Sequence, residues 1–169
     1  MKNIRKKIFS ILTVAILIAA AVWGYLYFRN HDERMLYAMV SELETMVSKR
    51  SGKSNALSLL DAATPERVFA SKVKVVSDLP KMERDFTLKD LSQMILTIKK
   101  SCRTAELDIE INSINIQGDT AVIRGNGMFS GESSQNMTFR EVRDLTLECK
   151  KFNGKWKISV LRADAVIKR

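Results

Sequence analysis

Between residues 8 and 28 the chain runs through 21 positions without a charge, interrupted only by Ser10, Thr13 and Gly24. At about 1.5 Å per residue a helix of this length reaches about 30 Å, the thickness of a bilayer's hydrocarbon core, and the stretch predicts a transmembrane helix. The pattern then becomes periodic. Met35, Leu36, Met39, Val40, Leu43, Met46 and Val47 recur at spacings of three and four over residues 31–50, with Glu33, Arg34, Glu42, Glu44 and Lys49 around the rest of the wheel, which predicts an amphipathic helix. Its methionines alternate with Leu and Val, as adaptable core packing does. Gly52 in the polar segment 50–55 marks a stop, a short helix is expected over 56–63, and Thr64-Pro65-Glu66 starts one further turn.

Val73, Val75 and Val76 predict a short first strand, and residues 77–86, with Pro80 and mixed charge, read as a loop of functional length. Thr87 with Asp90 resembles a capping box ahead of the apolar face Leu88, Leu91, Met94, Ile95, Ile98 and Cys102. From Leu107 the period changes to two. Leu107, Ile109 and Ile111 alternate with acids and Asn112, and the phase then shifts to Ile114 and Ile116, which predicts a bulge. Gly118-Asp119, residues 131–134 and Asn153-Gly154 predict the turns of a four-strand meander, the last being a strong hairpin signal. Helices first and an antiparallel meander after them make an α+β domain.

Charge sharpens the topology more than the chemistry. The formal net charge is +9, from 28 Lys and Arg against 19 Asp and Glu. Lys2, Arg5, Lys6, Lys7 and Arg29 stand in the first 29 residues without an acid, residues 150–169 carry +6, and the middle is slightly acidic. Bases before the apolar run and Trp23, Tyr25 and Tyr27 at its far end fit a cytoplasmic N-terminus. The expected organisation is a basic tail over 1–7, a membrane anchor over 8–28 and an exported domain over 29–169. Ala19-Ala20-Ala21 offers the rival reading of a cleaved signal peptide. No basic stretch interleaved with aromatic readers appears in the middle of the chain, so nucleic acid is not an expected partner. One His and two Cys leave no metal set by composition, and no cofactor is expected.

The order of helices, capped helix and meander resembles the nuclear transport factor 2-like (cystatin-like) superfamily. The resemblance is carried by Ile111-Asn112-Ser113-Ile114-Asn115-Ile116-Gln117-Gly118-Asp119-Thr120-Ala121-Val122-Ile123 and by Phe152-Asn153-Gly154-Lys155-Trp156-Lys157-Ile158. It implies a cone-shaped domain with a pocket between helices and a curved sheet, on a fold that hosts isomerases, dehydratases, transport adaptors and secretion-system scaffolds.

Strict alternation along the long strand after Asn136 turns Glu141 and Arg143 to the same side as Leu145, Leu147 and Cys149, where they would meet a ligand; a bulge at Val142 would swing both out. Enzymes of the resembled superfamily use a Tyr or carboxylic acid as oxyanion donor with an Asp base or a His-Asp pair. Tyr37 and Asp61 stand where two such roles could be filled, but no His follows His31. Tyr37 also fits plain packing at the edge of its helix. Cys102 and Cys149 could close a loop of 46 residues as a disulfide worth roughly 3–4 kcal/mol, or act as small hydrophobes on apolar faces. Asn136-Met137-Thr138 matches a glycosylation acceptor. Lys155, Lys157, Lys168 and Arg169 suit edge protection or an anionic partner. The expectation is a binding or assembly module without catalytic activity, a single-pass protein of the inner membrane with its domain periplasmic or extracellular. Its partners would be the lipid bilayer through residues 8–28 and a protein, or a second copy through the sheet. It is similar in architecture to inner-membrane assembly factors of type IV secretion systems. The alternative is an anchored small-ligand binder or isomerase-like or dehydratase-like enzyme using Glu141, Arg143, Tyr37 and Asp61.

Overall fold

The computed structural model describes residues 30–49, 64–78 and 80–166. The chain divides into two compact units, Met1–Arg34 and Met35–Arg169, and the second holds the sheet. The described elements are helix α1 over residues 30–47, a 3-10 turn Pro65–Arg67, strands β1 Phe69–Asp78 and β2 Lys81–Thr87, helix α2 Leu88–Ser101, and strands β3 Cys102–Gln117, β4 Thr120–Ser133, β5 Thr138–Phe152 and β6 Lys155–Ala165. One six-stranded sheet runs in the order β2-β1-β6-β5-β4-β3. Every neighbouring pair is antiparallel except β1 and β6, which are parallel.

The core forms where the apolar stripes of the two helices meet one face of this sheet. Leu36, Met39, Val40, Leu43 and Met46 of α1 and Leu91 and Ile95 of α2 are buried with Val73, Ile123, Leu147, Cys149, Trp156 and Ile158 of the strands. α2 begins at a full capping box: Thr87 Oγ1 accepts from the Asp90 N–H, and the Asp90 carboxylate accepts from the Thr87 N–H at 2.9 Å. Asn153 and Gly154 both have positive φ, as the tight turn between β5 and β6 requires, and Asn and Gly are the residues that adopt it most readily.

α1 also seals half of an edge strand. Along β3 the outward N–H groups of Ala105, Leu107 and Ile109 would face nothing on the sheet. Ala105 donates to the Lys49 carbonyl at 3.0 Å, Leu107 to Ser48 Oγ at 3.0 Å and Ile109 to Glu44 Oε1 at 2.7 Å. The Lys49 ammonium in turn donates to the carbonyls of Lys99 and Cys102 at 2.7 and 2.8 Å, placing a cation at the C-terminal end of α2, where the helix dipole favours it.

Several expectations are corrected. The sheet is open, with β2 and β3 as its two unjoined edges, and so is not the closed, cone-shaped, cystatin-like form. The loop expected over 77–86 is the turn and second strand of a hairpin: Met82 and Phe86 pack against the core while Lys81, Glu83 and Asp85 face out, an edge strand disguised by its charges. The turn expected over 131–134 begins later, because β4 continues to Ser133. Gly131 is there for close approach: a Cβ on it would lie 2.2 Å from the Thr104 carbonyl oxygen of β3. The expected phase shift in β3 is present, between Ile111 and Ser113.

The tail over 1–7, the span over 8–28 and the short helix over 56–63 lie outside the described residues. Among the described residues no helix is long and apolar enough to cross a membrane. α1 exposes Arg34 and Tyr37 and α2 exposes Lys89 and Lys100, so each helix is apolar along one stripe alone. The transmembrane architecture, the bilayer as partner and the single-pass inner-membrane location with a periplasmic or extracellular domain all rest on that span, and they find no support among the described residues, none of whose helices could cross a bilayer. On the outer face of the sheet Glu110, Asn126, Asp144 and Asp164 form one cross-strand row, a polar surface that a protein partner or a second copy seated there would have to match in charge.

Candidate functional site

The register of β5 decides which way its charges point. β4 and β5 pair without interruption from Thr120↔Lys150 to Glu132↔Thr138, so no bulge occurs at Val142. Alternation therefore keeps Phe139, Glu141 and Arg143 on the face that holds Leu145, Leu147 and Cys149, and Val142 is exposed on the other. Moving along this inner face away from the core, the cross-strand rows change character. Leu147 lies between Ile123 and Leu161, Leu145 between Gly125 and Ala163, Arg143 between Gly127 and Ala165, and Glu141 opposite Phe129.

Arg143 organises the end of that face. Its Nε donates to Glu141 Oε1 at 2.9 Å and its Nη2 reaches the same oxygen, while Nη1 lies 3.4 Å from Asp78 Oδ1. Asp78, the last residue of β1, accepts the Ala165 N–H at 2.8 Å through its other oxygen, so its carboxylate extends the pairing of β1 with β6 beyond the strand end. The guanidinium side chain is 20% exposed, whereas those of Asp78 and Glu141 are 43% and 55% exposed. Pairs exposed to this degree contribute about 0–1 kcal/mol each to folding. Beside them the Phe129 and Phe139 rings lie 5.1 Å apart at 37°, a half-buried apolar wall.

Of the expected ligand residues, Glu141 and Arg143 are thus brought together. Tyr37 is 48% exposed on α1, and among the described residues no hydrogen bond joins it to either. Asp61 lies outside the described residues. Sequence reasoning misses Asp78, because Val73, Val75 and Val76 predict a strand that ends before it; the alternation Val73, Val75, Ser77 is the signal available for a longer strand.

The two cysteines stand at opposite ends of the sheet. Cys102 pairs with Ser133, whereas Cys149 pairs with Ala121, which pairs with Ile116 of β3. At about 3.3 Å per residue the distance along β3 is on the order of 40 Å, far beyond the reach of a disulfide, and both are free, buried thiols. Burial pushes the Cys149 thiol up to about 12.

An open cleft of about 310 Å³ lies between α1 and the 3-10 turn, lined by Ala38, Ser41, Glu42, Thr45, Met46, Thr64 and Arg67. Its two charges are tied to each other, Arg67 Nε to Glu42 Oε1 at 3.1 Å, and Thr45 Oγ1 donates to the Ser41 carbonyl within its own helix. Among the described residues no group of three His, Cys, Asp or Glu gathers as a metal set.

No protein-family model matches the chain, and no curated protein matches it. Solved structures share its fold. A protein from Kribbella flavida aligns with a TM-score of 0.69 at 11% identity over 83% of this chain and 95% of its own. A nuclear transport factor 2-like superfamily protein from Salmonella enterica serovar Typhimurium aligns with a TM-score of 0.54 at 16% identity over 64% and 79%. A hexachlorocyclohexane dehydrochlorinase aligns with a TM-score of 0.60 at 12% identity over 80% and 85%. The chain therefore has a nuclear transport factor 2-like α+β fold. The expectation of a module without catalytic activity is corrected by the same finding: a dehydrochlorinase and a ketosteroid isomerase-like protein have this fold, which gives no ground for leaning against an enzyme.

Proposed function

We propose that the protein binds a small organic molecule on the inner face of its sheet, with Arg143, paired in the empty site with Glu141, as the polar anchor and the Phe129 and Phe139 rings as an apolar wall. The observation that carries this reading is the unbroken β4–β5 register, which sets two opposite charges on the face that elsewhere is core. A structural strand gains little from charges there, since the pair is too exposed to stabilise the fold much. Placing a few polar groups beside apolar side chains is the usual composition of a small-molecule site. Titration of isotope-labelled protein with a set of small aromatic and aliphatic fragments should shift the amides of Phe129, Phe139, Glu141 and Arg143. Shifts confined to the Ser41–Arg67 cleft would sink the proposal.

A second reading, proton abstraction in an elimination or isomerisation, is favoured by Glu141 itself. Both of its contacts with Arg143 use Oε1, and Oε2 has no partner among the described residues. A carboxylate held at one oxygen and open at the other is placed to take a proton from a bound ligand. The dehydrochlorinase and the ketosteroid isomerase-like protein of the same fold make that reaction class the first to test. Hydrogen–deuterium exchange into a ligand that binds, abolished in Glu141→Gln with binding retained, is the expected result. Exchange unchanged in that variant removes Glu141 as the base.

A further inference from the structure

We propose that the ligand is a carboxylate attached to an apolar body, and that it binds Arg143 by taking the place of Glu141. This rests on the small-molecule reading of the same face and names its substrate class. The argument begins with how Arg143 is held. Glu141 and Arg143 are two positions apart on one strand face, so the glutamate must bend along the strand to reach the guanidinium. It arrives with one oxygen, and both Nε and Nη2 converge on that Oε1. The Nε and Nη2 edge of a guanidinium is a fork suited to the two oxygens of a carboxylate approaching in its plane. An external carboxylate meets that geometry; the tethered one meets half of it.

Among the described residues two acids, Asp78 and Glu141, pair with Arg143, and they are not equivalent. Asp78 is fixed by the Ala165 N–H at 2.8 Å and remains part of the β1–β6 pairing whatever Arg143 does. Glu141 has no second anchor among the described residues and is the more exposed of the two, at 55% against 43%. An incoming carboxylate that releases Glu141 to water leaves the guanidinium with the same charge balance as before, so the exchange strands no buried charge. Phe129 stands directly across from Glu141 in the register, with Phe139 packed beside it. The space the glutamate vacates therefore borders an aromatic wall, which suits an aromatic or branched aliphatic body. Glu141 acts in this scheme as a built-in competitor that keeps Arg143 paired while the site is empty.

The test compares three probes of one shape, phenylacetate, phenylacetamide and phenethylamine, by calorimetry against the full chain and its Glu141→Gln, Arg143→Gln and Arg143→Lys variants. Phenylacetate is expected to bind the parent protein most tightly. Removing the competing charge in Glu141→Gln should tighten it by about fivefold or more, whereas losing the fork in Arg143→Lys should weaken it by about tenfold with the charge retained. Arg143→Gln should abolish binding, with thermal melts of each variant confirming a folded chain. Phenylacetamide or phenethylamine binding as tightly as phenylacetate overturns the carboxylate class and leaves small-molecule binding standing. Glu141→Gln binding phenylacetate no better than the parent overturns the displacement. Failure of all three probes on both parent and Glu141→Gln overturns this inference, and the absence of any fragment-induced shift on the inner face overturns the broader reading.

Discussion

Replacing Glu44 by Ala should destabilise the fold by more than an exposed helix position normally costs. Glu44 accepts the N–H of Ile109 at 2.7 Å, on the edge of β3 that no strand pairs with, and Ile109 itself is 8% exposed. An alanine leaves that donor with no side chain to meet it. A hydrogen bond to a charged acceptor contributes about 1.5–3 kcal/mol, and the half-buried surroundings place the expected loss near about 2 kcal/mol. Gln at the same position keeps an acceptor oxygen and should cost about half as much. Ser48→Ala removes the neighbouring acceptor of the Leu107 N–H at 3.0 Å and should cost about 1 kcal/mol. Because both residues secure one edge, the double variant need not be additive, and the cycle measures their coupling. Urea denaturation gives the energies, and amide exchange at Ile109 and Leu107 gives the location. Faster exchange is expected at Ile109 in Glu44→Ala and at Leu107 in Ser48→Ala. Glu44→Gln as damaging as Glu44→Ala, with Ile109 exchange unchanged in both, would refute the edge-sealing argument and leave a general helix effect.

Gly131→Ala should destabilise by about 1–3 kcal/mol through overpacking, since the new Cβ would meet β3 backbone and not a side chain able to move; chemical denaturation reads it. Thr87 holds the Asp90 carboxyl below its ordinary value, first through the backbone N–H and then through the hydroxyl. A lowered folded pKa means the capping contribution is present above the unfolded carboxylate pKa of about 4 and is lost as pH falls through the folded value, so the stability gap between parent and Asp90→Asn should narrow on acidification. In the folded chain Cys149 should resist alkylation at mildly alkaline pH, where a thiol at about 12 holds almost no thiolate, and denatured unreduced protein should titrate with two free thiols.

Local rules carried much of the fold. The Thr87–Asp90 box, the Asn153–Gly154 turn, the bulge between Ile111 and Ser113 and the apolar faces of both helices are all short-range patterns whose physics is complete within a few residues. What was illegible depends on long-range partners. β2 alternates well enough, but Glu83 and Asp85 at an unburied edge look the same as loop charges until β1 is known to lie beside them. Gly131 reads as a turn because nothing near it in sequence reveals that the Thr104 carbonyl approaches its Cα. The site was half legible. Alternation in β5 presented Glu141 and Arg143 together, and the open question of a bulge at Val142 needed the β4 register for its answer. Asp78 could not be paired with Arg143 from sequence, since 64 positions intervene between them and only the parallel β1–β6 contact joins the two regions.

That parallel contact has a consequence for the order in which the chain can fold. β6 sits inside the sheet between β1 and β5, yet it leaves the ribosome after every other described strand. Until it arrives, the β1–β2 hairpin and the β3–β4–β5 meander are two separate half-sheets with their inner borders open. Phe69 must wait for Ile158, and Val75 for Leu161, across a stretch of chain whose closure is slow because its entropy is lost before any contact rewards it. A nascent chain stalled before Lys155 would therefore expose two unsatisfied strand borders at once, a state prone to association with other chains.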